Sequence, residues 1–157
     1  MKAIKVIELL RPKQWIKNLF VFAPILFAGK LLDFPLLFQS IQAFFAFCCI
    51  SSSVYILNDI VDVEADRVHK KKRYRPIAAG YVQVKEAKIL FLIMVVLSLV
   101  IAFNLNYLFV ITVAAYFLNN LLYSFKIKNI VLLDVFSISF GFMLRVVGGA
   151  VAIDVSI

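Results

Sequence analysis

Long apolar runs separated by short polar turns restrict the fold of this chain more than any single motif does. Five runs fit the hydropathy, at about residues 15–32, 36–61, 88–104, 107–125 and 130–153. Each is near the length of about 20 residues that a tilted helix needs to cross a bilayer. The sequence therefore predicts an all-α, polytopic transmembrane helical bundle, folded as a single membrane domain over residues 1–157.

Composition supports this prediction and excludes other classes. The 157 residues are 64% hydrophobic with a mean hydropathy of +0.98, more than a water-soluble domain of this length can hide in its core. The apolar segments recur to the end of the chain, unlike a signal peptide followed by a polar domain. Cys48 and Cys49 are adjacent and have no partner at metal-ligand spacing, which speaks against a disulfide or zinc framework.

The basic residues are distributed as expected for a membrane protein. Of the 17 Lys and Arg residues, 15 precede or open the first run or lie in the loops at 67–88 and 126–128. By the positive-inside rule, the N-terminus and both loops are cytoplasmic. This distribution, rather than the total charge of +8, argues against nucleic acid as a partner. It predicts an integral, multi-pass protein of a prokaryotic inner membrane.

Three carboxylates share one helix face at the end of the second run. Asp59, Asp62 and Asp66 stand at i, i+3 and i+7, within roughly 60° of one another on a continuous helix. A charged side chain at mid-bilayer costs about 2.5–3.5 kcal/mol, so the trio must lie near the interface and be neutralised by a cation. Mg²⁺ binds one or two protein carboxylates and shares its remaining positions with phosphate oxygens. The pattern predicts a magnesium site.

The basic loop at 69–76 follows this acidic face directly. Membrane topology and attraction to anionic lipid, at about 1 kcal/mol per basic residue, are sufficient to explain such a loop. Its position favours a second role, because Lys72, Arg73 and Arg75 would lie within reach of a diphosphate held by the metal. Both interpretations stay open.

An arginine inside the last apolar run is the other candidate functional residue. Arg145 and Asp134 project to the same helix side within about 20°, which aims Arg145 into the bundle. An intramembrane arginine indicates a functional site by default, and pairing with an acid on another helix for structure alone is the alternative. The apolar surroundings suit a substrate with a lipid tail.

The acidic segment also carries a family resemblance. Asn58-Asp-x-x-Asp-x-x-x-Asp66, followed by Arg75-Pro76, resembles the UbiA-type polyprenyl transferase superfamily, which implies a helical bundle with two Asp-rich motifs that bind Mg²⁺ and diphosphate. Four further segments resemble the branch containing decaprenyl-phosphate phosphoribosyltransferases: Arg11–Asn18, Lys72–Gly80, Tyr123–Ser124 and Gly141–Arg145.

The branch resemblance implies transfer of a 5-phosphoribosyl group from phosphoribosyl diphosphate to a polyprenyl phosphate in the membrane, with diphosphate release. It implies that the catalytic, Mg²⁺-binding residues are Asp59, Asp62 and Asp66. It implies that the substrate-binding residues are Lys17, Asn58, Lys72, Arg73, Arg75, Tyr123, Lys128 and Arg145. Within this set, Lys17 and the loop cations would bind the donor phosphates, and Tyr123, Lys128 and Arg145 would line the cavity.

The chain departs from the family pattern in two places. His69-Lys70 stands where the branch often has His-Pro. The family has about nine spans, and its second acidic motif would lie beyond Ile157, so we expect this chain to be the N-terminal portion of a longer bundle and to carry half a site.

Other functions stay open. Prenyl transfer to an aromatic acceptor would use similar apolar helices below the site. An ion or proton transporter subunit would also carry intramembrane charges, and a structural protein with a lipid-binding loop would explain the basic residues alone. Replacing Asp59 and Asp62 by Asn separates catalytic from non-catalytic readings, because retained full activity would contradict the metal site.

Overall fold

The computed structural model describes residues 2–125 and 131–155. Every regular element in these ranges is a helix, as the apolar runs predict. In chain order the elements are α1 (Lys2–Leu10), a 3-10 helix (Pro12–Phe22), α2 (Ala23–Phe27), α3 (Phe34–Val61), α4 (Val63–Val68), a short 3-10 turn (Lys72–Tyr74), α5 (Val84–Leu105), α6 (Tyr107–Phe125) and α7 (Val131–Ala152).

Four of these helices are long and apolar enough to cross a membrane. They cover Phe34–Val61, Val84–Leu105, Tyr107–Ser124 and Leu132–Ala152. They confirm four of the five predicted spans and identify an integral, multi-pass membrane protein.

The first predicted span, 15–32, has a different structure. It is divided between the 3-10 helix and the five-residue α2, and it ends in a turn at Gly29, whose φ is +65°. Each helix begins with a proline in its first positions, Pro12 and Pro24. Proline fits the first turn of a helix but interrupts the hydrogen bonds of a helix interior, so one continuous α-helix does not form here.

α3 is the central helix of the bundle. Its first turn is capped by Asp33, whose side-chain oxygen accepts a hydrogen bond from the Leu36 N–H at 3.3 Å. Along its length α3 packs against α1, the 3-10 helix, α5, α6 and α7. Buried small residues such as Ala43 and Ala46 let neighbouring backbones approach closely, as is typical of membrane helices.

Close contacts hold α6 and α7 against the rest of the bundle, the first between α3 and α6 and the second between the 3-10 helix and α7. The Phe47 ring packs edge-on against the Phe109 and Tyr116 rings, with centroids 5.8 and 5.3 Å away. At Gly149 the 3-10 helix lies directly on α7, so a Cβ at this glycine would overlap the carbonyl oxygen of Val21. This close approach fixes the side chains of the 3-10 helix relative to those of α7.

A smaller apolar cluster fixes the basic loop. Leu9, Ile56, Ile77, Val82 and Ala87 are buried together, and they join α1, α3 and α5 to the segment that follows Arg75. The loop then leads into α5 through a capping box, in which the Gln83 and Glu86 side chains and backbone groups bond reciprocally. The backbone of the loop is thereby held at the end of α3.

Candidate functional site

Two carboxylates and two arginines form a compact group at the end of α3, which we call the acid–arginine cluster: Arg11, Asp59, Asp66 and Arg75. Arg11 Nη2 lies 2.6 Å from Asp59 Oδ1. Arg75 Nη1 bridges the two acids, at 3.2 Å from Asp59 Oδ1 and 2.7 Å from Asp66 Oδ2. Both aspartates are only 2% exposed, so the arginines supply the compensation that buried charges require.

The third carboxylate of the predicted trio stands apart. α3 ends at Val61 and α4 begins at Val63, so the continuous helix assumed from the sequence breaks at Asp62. Asp62 is half-buried and makes no ion pair among the described residues. Over 2–125 and 131–155, no group of three or more His, Cys, Asp or Glu side chains is arranged to hold a metal. The structure thus brings Asp59 and Asp66 together, without Asp62.

The two clustered carboxylates are chemically suited to a hard divalent cation. Asp59 and Asp66 both present an oxygen to one guanidinium nitrogen of Arg75, so their negative charge converges on a single point. Mg²⁺ needs only one or two protein carboxylates when phosphate oxygens complete its shell. The donor set fits magnesium, with Arg75 in competition for the same oxygens.

Arg11 is a member of this cluster that helix periodicity did not identify. It lies 48 positions before Asp59, and in the sequence it stands out only as part of a segment that resembles the family branch. Its backbone is left-handed, with φ 53°, a region that a non-glycine residue rarely adopts. Its guanidinium lies over the Tyr55 ring at 4.7 Å from the centroid. The unusual backbone directs this cation toward α3.

A cavity of about 280 Å³ lies beside the cluster, between the 3-10 helix, α3, α6 and α7. Four of the predicted substrate-binding residues line it: Lys17, Asn58, Tyr123 and Arg145. Its wall also includes Tyr55, Tyr116, Asn119, Asn120, Ser124 and Ser137. Asn58 lines the cavity while its neighbour Asp59 belongs to the acid–arginine cluster, so the two sites adjoin at the end of α3.

Arg145 is the most buried cation of the cavity wall, at 7% exposure. Its Nε donates to Asn18 Oδ1 at 2.8 Å, its Nη1 to the Gly141 carbonyl at 2.8 Å and its Nη2 to the Tyr116 hydroxyl at 2.7 Å. Its guanidinium also stacks over the Tyr116 and Phe142 rings, at 4.7 and 5.2 Å from their centroids. All of these contacts are with neutral groups.

The sequence left open that Arg145 pairs with an acid on another helix for structure alone, and the described residues contain no such pair. No acidic side chain of the described residues lies within ion-pair distance of Arg145. Asp134 shares the helix with Arg145, but it does not pair with it. The positive charge of Arg145 is therefore stabilised by dipoles and aromatic rings, without a counter-ion from the described part of the chain.

The remaining predicted cations lie elsewhere. Lys72 and Arg73 are exposed and do not belong to the cavity wall, and Arg73 donates to the neighbouring Tyr74 hydroxyl at 2.8 Å. His69 stabilises its own loop, because its Nδ1 accepts from the backbone N–H groups of Lys71 and Lys72. Lys128 lies outside the described residues. Arg75 is thus the loop cation that touches the acids.

Asn18 and Tyr116 are the residues that sequence reasoning missed as a pair. Asn18 is fully buried and its amide also donates to Ser51 Oγ at 3.3 Å. Tyr116 is 3% exposed. Neither stands at a diagnostic spacing from Arg145, and the available signal was only that a buried amide in an apolar run requires a partner.

Comparison with known proteins places these features in a family. The model of the UbiA prenyltransferase family matches residues 18–157. A decaprenyl-phosphate phosphoribosyltransferase of Mycolicibacterium smegmatis is 41% identical over 95% of this chain and 48% of its own length. The enzyme of the same name from Corynebacterium glutamicum is 37% identical, over 96% of this chain and 47% of its own.

A solved structure supports the same relationship. The structure reported for digeranylgeranylglyceryl phosphate synthase in membranes is 26% identical and superposes with a TM-score of 0.81, over 96% of this chain and 53% of that one. The chain spans about half the length of the curated relatives it matches.

Proposed function

The chain belongs to the UbiA prenyltransferase family, and on that premise we propose that the protein is a Mg²⁺-dependent membrane transferase that moves a 5-phosphoribosyl group from phosphoribosyl diphosphate to a polyprenyl phosphate. One observation carries the proposal. A polar cavity whose described lining has two cations, Lys17 and Arg145, and no carboxylate adjoins two buried aspartates at the end of an apolar bundle. Such a site accepts phosphate groups while the helices around it accept a lipid chain.

The proposed roles follow from charge and position. Asp59 and Asp66 would hold Mg²⁺, with Asp62 proposed as a further ligand on the family motif alone, and the metal when bound would neutralise the diphosphate as negative charge develops on it. Arg75 is placed to exchange between the carboxylates and the diphosphate, since its fork suits either anion. Lys72, Arg73 and Lys128 would add further positive charge around the diphosphate. Lys17, Asn58, Tyr123 and Arg145 would orient the phosphorylated substrate in the cavity.

The reaction is a displacement at the anomeric carbon. An oxygen of the acceptor phosphate forms a new bond to C1 of the ribose, and the bond from C1 to the diphosphate oxygen breaks with its electron pair going to the diphosphate. The chain contributes by bringing both phosphorylated groups together and by excluding water through the apolar helices, which protects the electron-deficient carbon from hydrolysis. We place this site at the cytoplasmic face of a prokaryotic inner membrane, on the charge pattern of the loops.

The test uses the intact protein, purified in detergent. Diphosphate release from phosphoribosyl diphosphate is measured with Mg²⁺ or EDTA, and with or without a polyprenyl phosphate. Release that requires both the metal and the lipid supports the proposal. Release from a prenyl diphosphate in the presence of an aromatic acceptor, with none from phosphoribosyl diphosphate, would assign the protein to prenyl transfer instead.

Matched variants connect the activity to the cluster. Asp59→Asn should lower turnover by at least about tenfold and raise the Mg²⁺ concentration needed for half-maximal rate, because a ligand oxygen and its charge are lost. Glu64→Gln, on an exposed side chain of the adjacent helix, is the control and should leave both values unchanged. Full activity of the Asp59→Asn enzyme would contradict the metal site.

A further inference from the structure

We propose that the cavity is a metal-independent binding site for a phosphate monoester, with Arg145 as the charged ligand and Asn18 and Tyr116 as the residues that position it. The proposal rests on the proposed function only for the identity of the molecule that carries the phosphate. In that reaction the group is either the 5-phosphate of the donor sugar or the phosphate of the lipid acceptor.

The charge balance around Arg145 favours an anion in the cavity. Burying an arginine in an apolar bundle is costly, and proteins normally offset the cost with a carboxylate. Here the acceptors are the Asn18 amide, the Gly141 carbonyl and the Tyr116 hydroxyl. These groups hold the guanidinium in place without cancelling its charge. The field that remains favours an anion in the adjoining space.

Arg145 has more hydrogen-bond donors than the described residues use. A guanidinium has five N–H groups, and three of them are accounted for by the contacts of Arg145 with Asn18, Gly141 and Tyr116. The other two have no acceptor among residues 2–125 and 131–155. Because Arg145 lines the cavity, a phosphate there would accept from a cation that is already fixed in orientation, which gives a short, charge-assisted hydrogen bond.

The composition and size of the cavity suit a small phosphorylated group. Lys17 adds a second cation to the wall, and hydroxyl and amide groups such as Tyr123 and Asn119 supply neutral partners. The volume of about 280 Å³ is near the lower limit of small-molecule sites, about 300 Å³. It therefore suits a phosphorylated head group or sugar rather than a lipid chain. The carboxylates that would recruit a metal lie outside the wall, so the site needs none.

The experiment measures binding to the intact protein in detergent with EDTA present. Ribose 5-phosphate and farnesyl monophosphate represent the two sources of the phosphate, and ribose and farnesol are their uncharged counterparts. We expect calorimetric titration to detect at least one monophosphate and neither uncharged compound. Exclusive binding of ribose 5-phosphate would assign the site to the donor, and exclusive binding of farnesyl monophosphate to the acceptor. Equal binding of phosphorylated and uncharged compounds, or no binding until Mg²⁺ is added, would overturn the proposal.

Asn18→Asp tests the mechanism directly. The new carboxylate stands in the position of the amide oxygen that accepts from Arg145, so the side chain keeps its contact while it neutralises the cation. We expect monophosphate binding to weaken by at least about tenfold, because the ligand loses a charged hydrogen-bond partner. Asn104→Asp, on an exposed residue near the end of α5, carries the same charge change and should bind as the wild type does. Unchanged binding by a folded Asn18→Asp protein would overturn the proposal.

A second variant keeps the test decisive if Asn18→Asp does not fold. Lys17 is exposed, so Lys17→Gln is compatible with the fold, and it should weaken monophosphate binding several-fold because one cation of the wall is lost. No change in affinity would contradict the proposed anion site. The outcome for this site can be distinguished from the outcome for the proposed function. Monophosphate binding that depends on Lys17 and Asn18 supports the site even if the protein shows no phosphoribosyl transfer. Active transfer together with unaltered binding in the variants would contradict the site and leave the proposed function intact.

Discussion

The acid–arginine cluster and the Arg145 cavity solve the burial of charge in opposite ways. In the cluster, Asp59 and Asp66 are neutralised by Arg11 and Arg75 through contacts of 2.6–3.2 Å. In the cavity, Arg145 is held by neutral acceptors at 2.7–2.8 Å. A ligand at the cluster must replace internal ion pairs, whereas a ligand at the cavity meets a cation with donors to spare. The difference separates a site that couples binding to rearrangement from one that is already organised.

The largest expected effect comes from removing an arginine of the acid–arginine cluster. Arg75→Ala leaves Asp66 without its cation, and we expect a loss of about 3 kcal/mol in the free energy of unfolding. This is the lower end of the range for a broken buried ion pair, because Arg11 still neutralises Asp59. Unfolding in mixed detergent micelles measures the change. Arg73→Ala is the control, since Arg73 is exposed, and equal losses for both variants would contradict the structural role of Arg75.

The second effect changes the shape of the cavity without touching a charge. Gly149→Ala places a methyl group against the Val21 carbonyl, and overpacking of this kind costs about 1–3 kcal/mol. The shift should also displace Asn18 from Arg145 and weaken the cavity as a binding site. Gly141→Ala is the matched control for stability alone, because its added Cβ would lie at an ordinary contact distance of 3.6 Å from Arg145 Nη1. A Gly149→Ala protein as stable as the control would show that the 3-10 helix does not pack tightly on α7.

The third effect tests the neutral acceptors. Tyr116→Phe retains the ring under the Arg145 guanidinium but removes the hydroxyl that accepts at 2.7 Å. We expect a loss of about 1.5 kcal/mol, the lower end of the range for a hydrogen bond to a charged group. Tyr107→Phe, on an exposed ring at the start of α6, should change stability by less than about 0.5 kcal/mol. Equal effects would mean that the hydroxyl contributes nothing to holding Arg145.

The smallest effect is expected for an ion pair outside both sites. Arg67 and Glu64 contact at 2.8 Å on the surface of α4, with half or more of each side chain exposed. Replacing each residue by Ala, first singly and then both together, should give a coupling free energy below about 0.5 kcal/mol. A coupling as large as that of Arg75 with Asp66 would show that burial does not explain the strength of the cluster.

The sequence predicted the parts of this molecule that depend on local pattern. α3, α5, α6 and α7 follow from long apolar runs. Nearness in the chain predicted that Arg75 would lie close to the acidic segment, but as a ligand of a diphosphate, whereas it pairs directly with Asp59 and Asp66. The grouping of Lys17, Asn58, Tyr123 and Arg145 came from the family resemblance, and the structure brings these four residues together in one wall.

The parts that sequence reasoning missed depend on tertiary contacts. Periodicity assumed one helix through Asp62, but the helix ends at Val61, so the expected face of three carboxylates is reduced to two. The 3-10 conformation of 12–22 reflects Pro12 at its start and Pro24 just beyond its end, together with the close packing at Gly149. The contact of Arg11 with Asp59 requires a left-handed residue and a chain reversal, which no helical spacing encodes.

The distance along the chain between Asn18 and Arg145 sets the order in which the cavity forms during synthesis. The bonded residues are 127 positions apart. At about 5–20 residues per second, a ribosome makes Asn18 roughly 6–25 s before Arg145. During that time the nascent protein lacks α7, which completes the surroundings of Lys17 and Asn18. The polar start of the 3-10 helix favours the lipid–water interface in this interval. The cavity is therefore a late product of membrane insertion, closed only when α7 joins helices already in place.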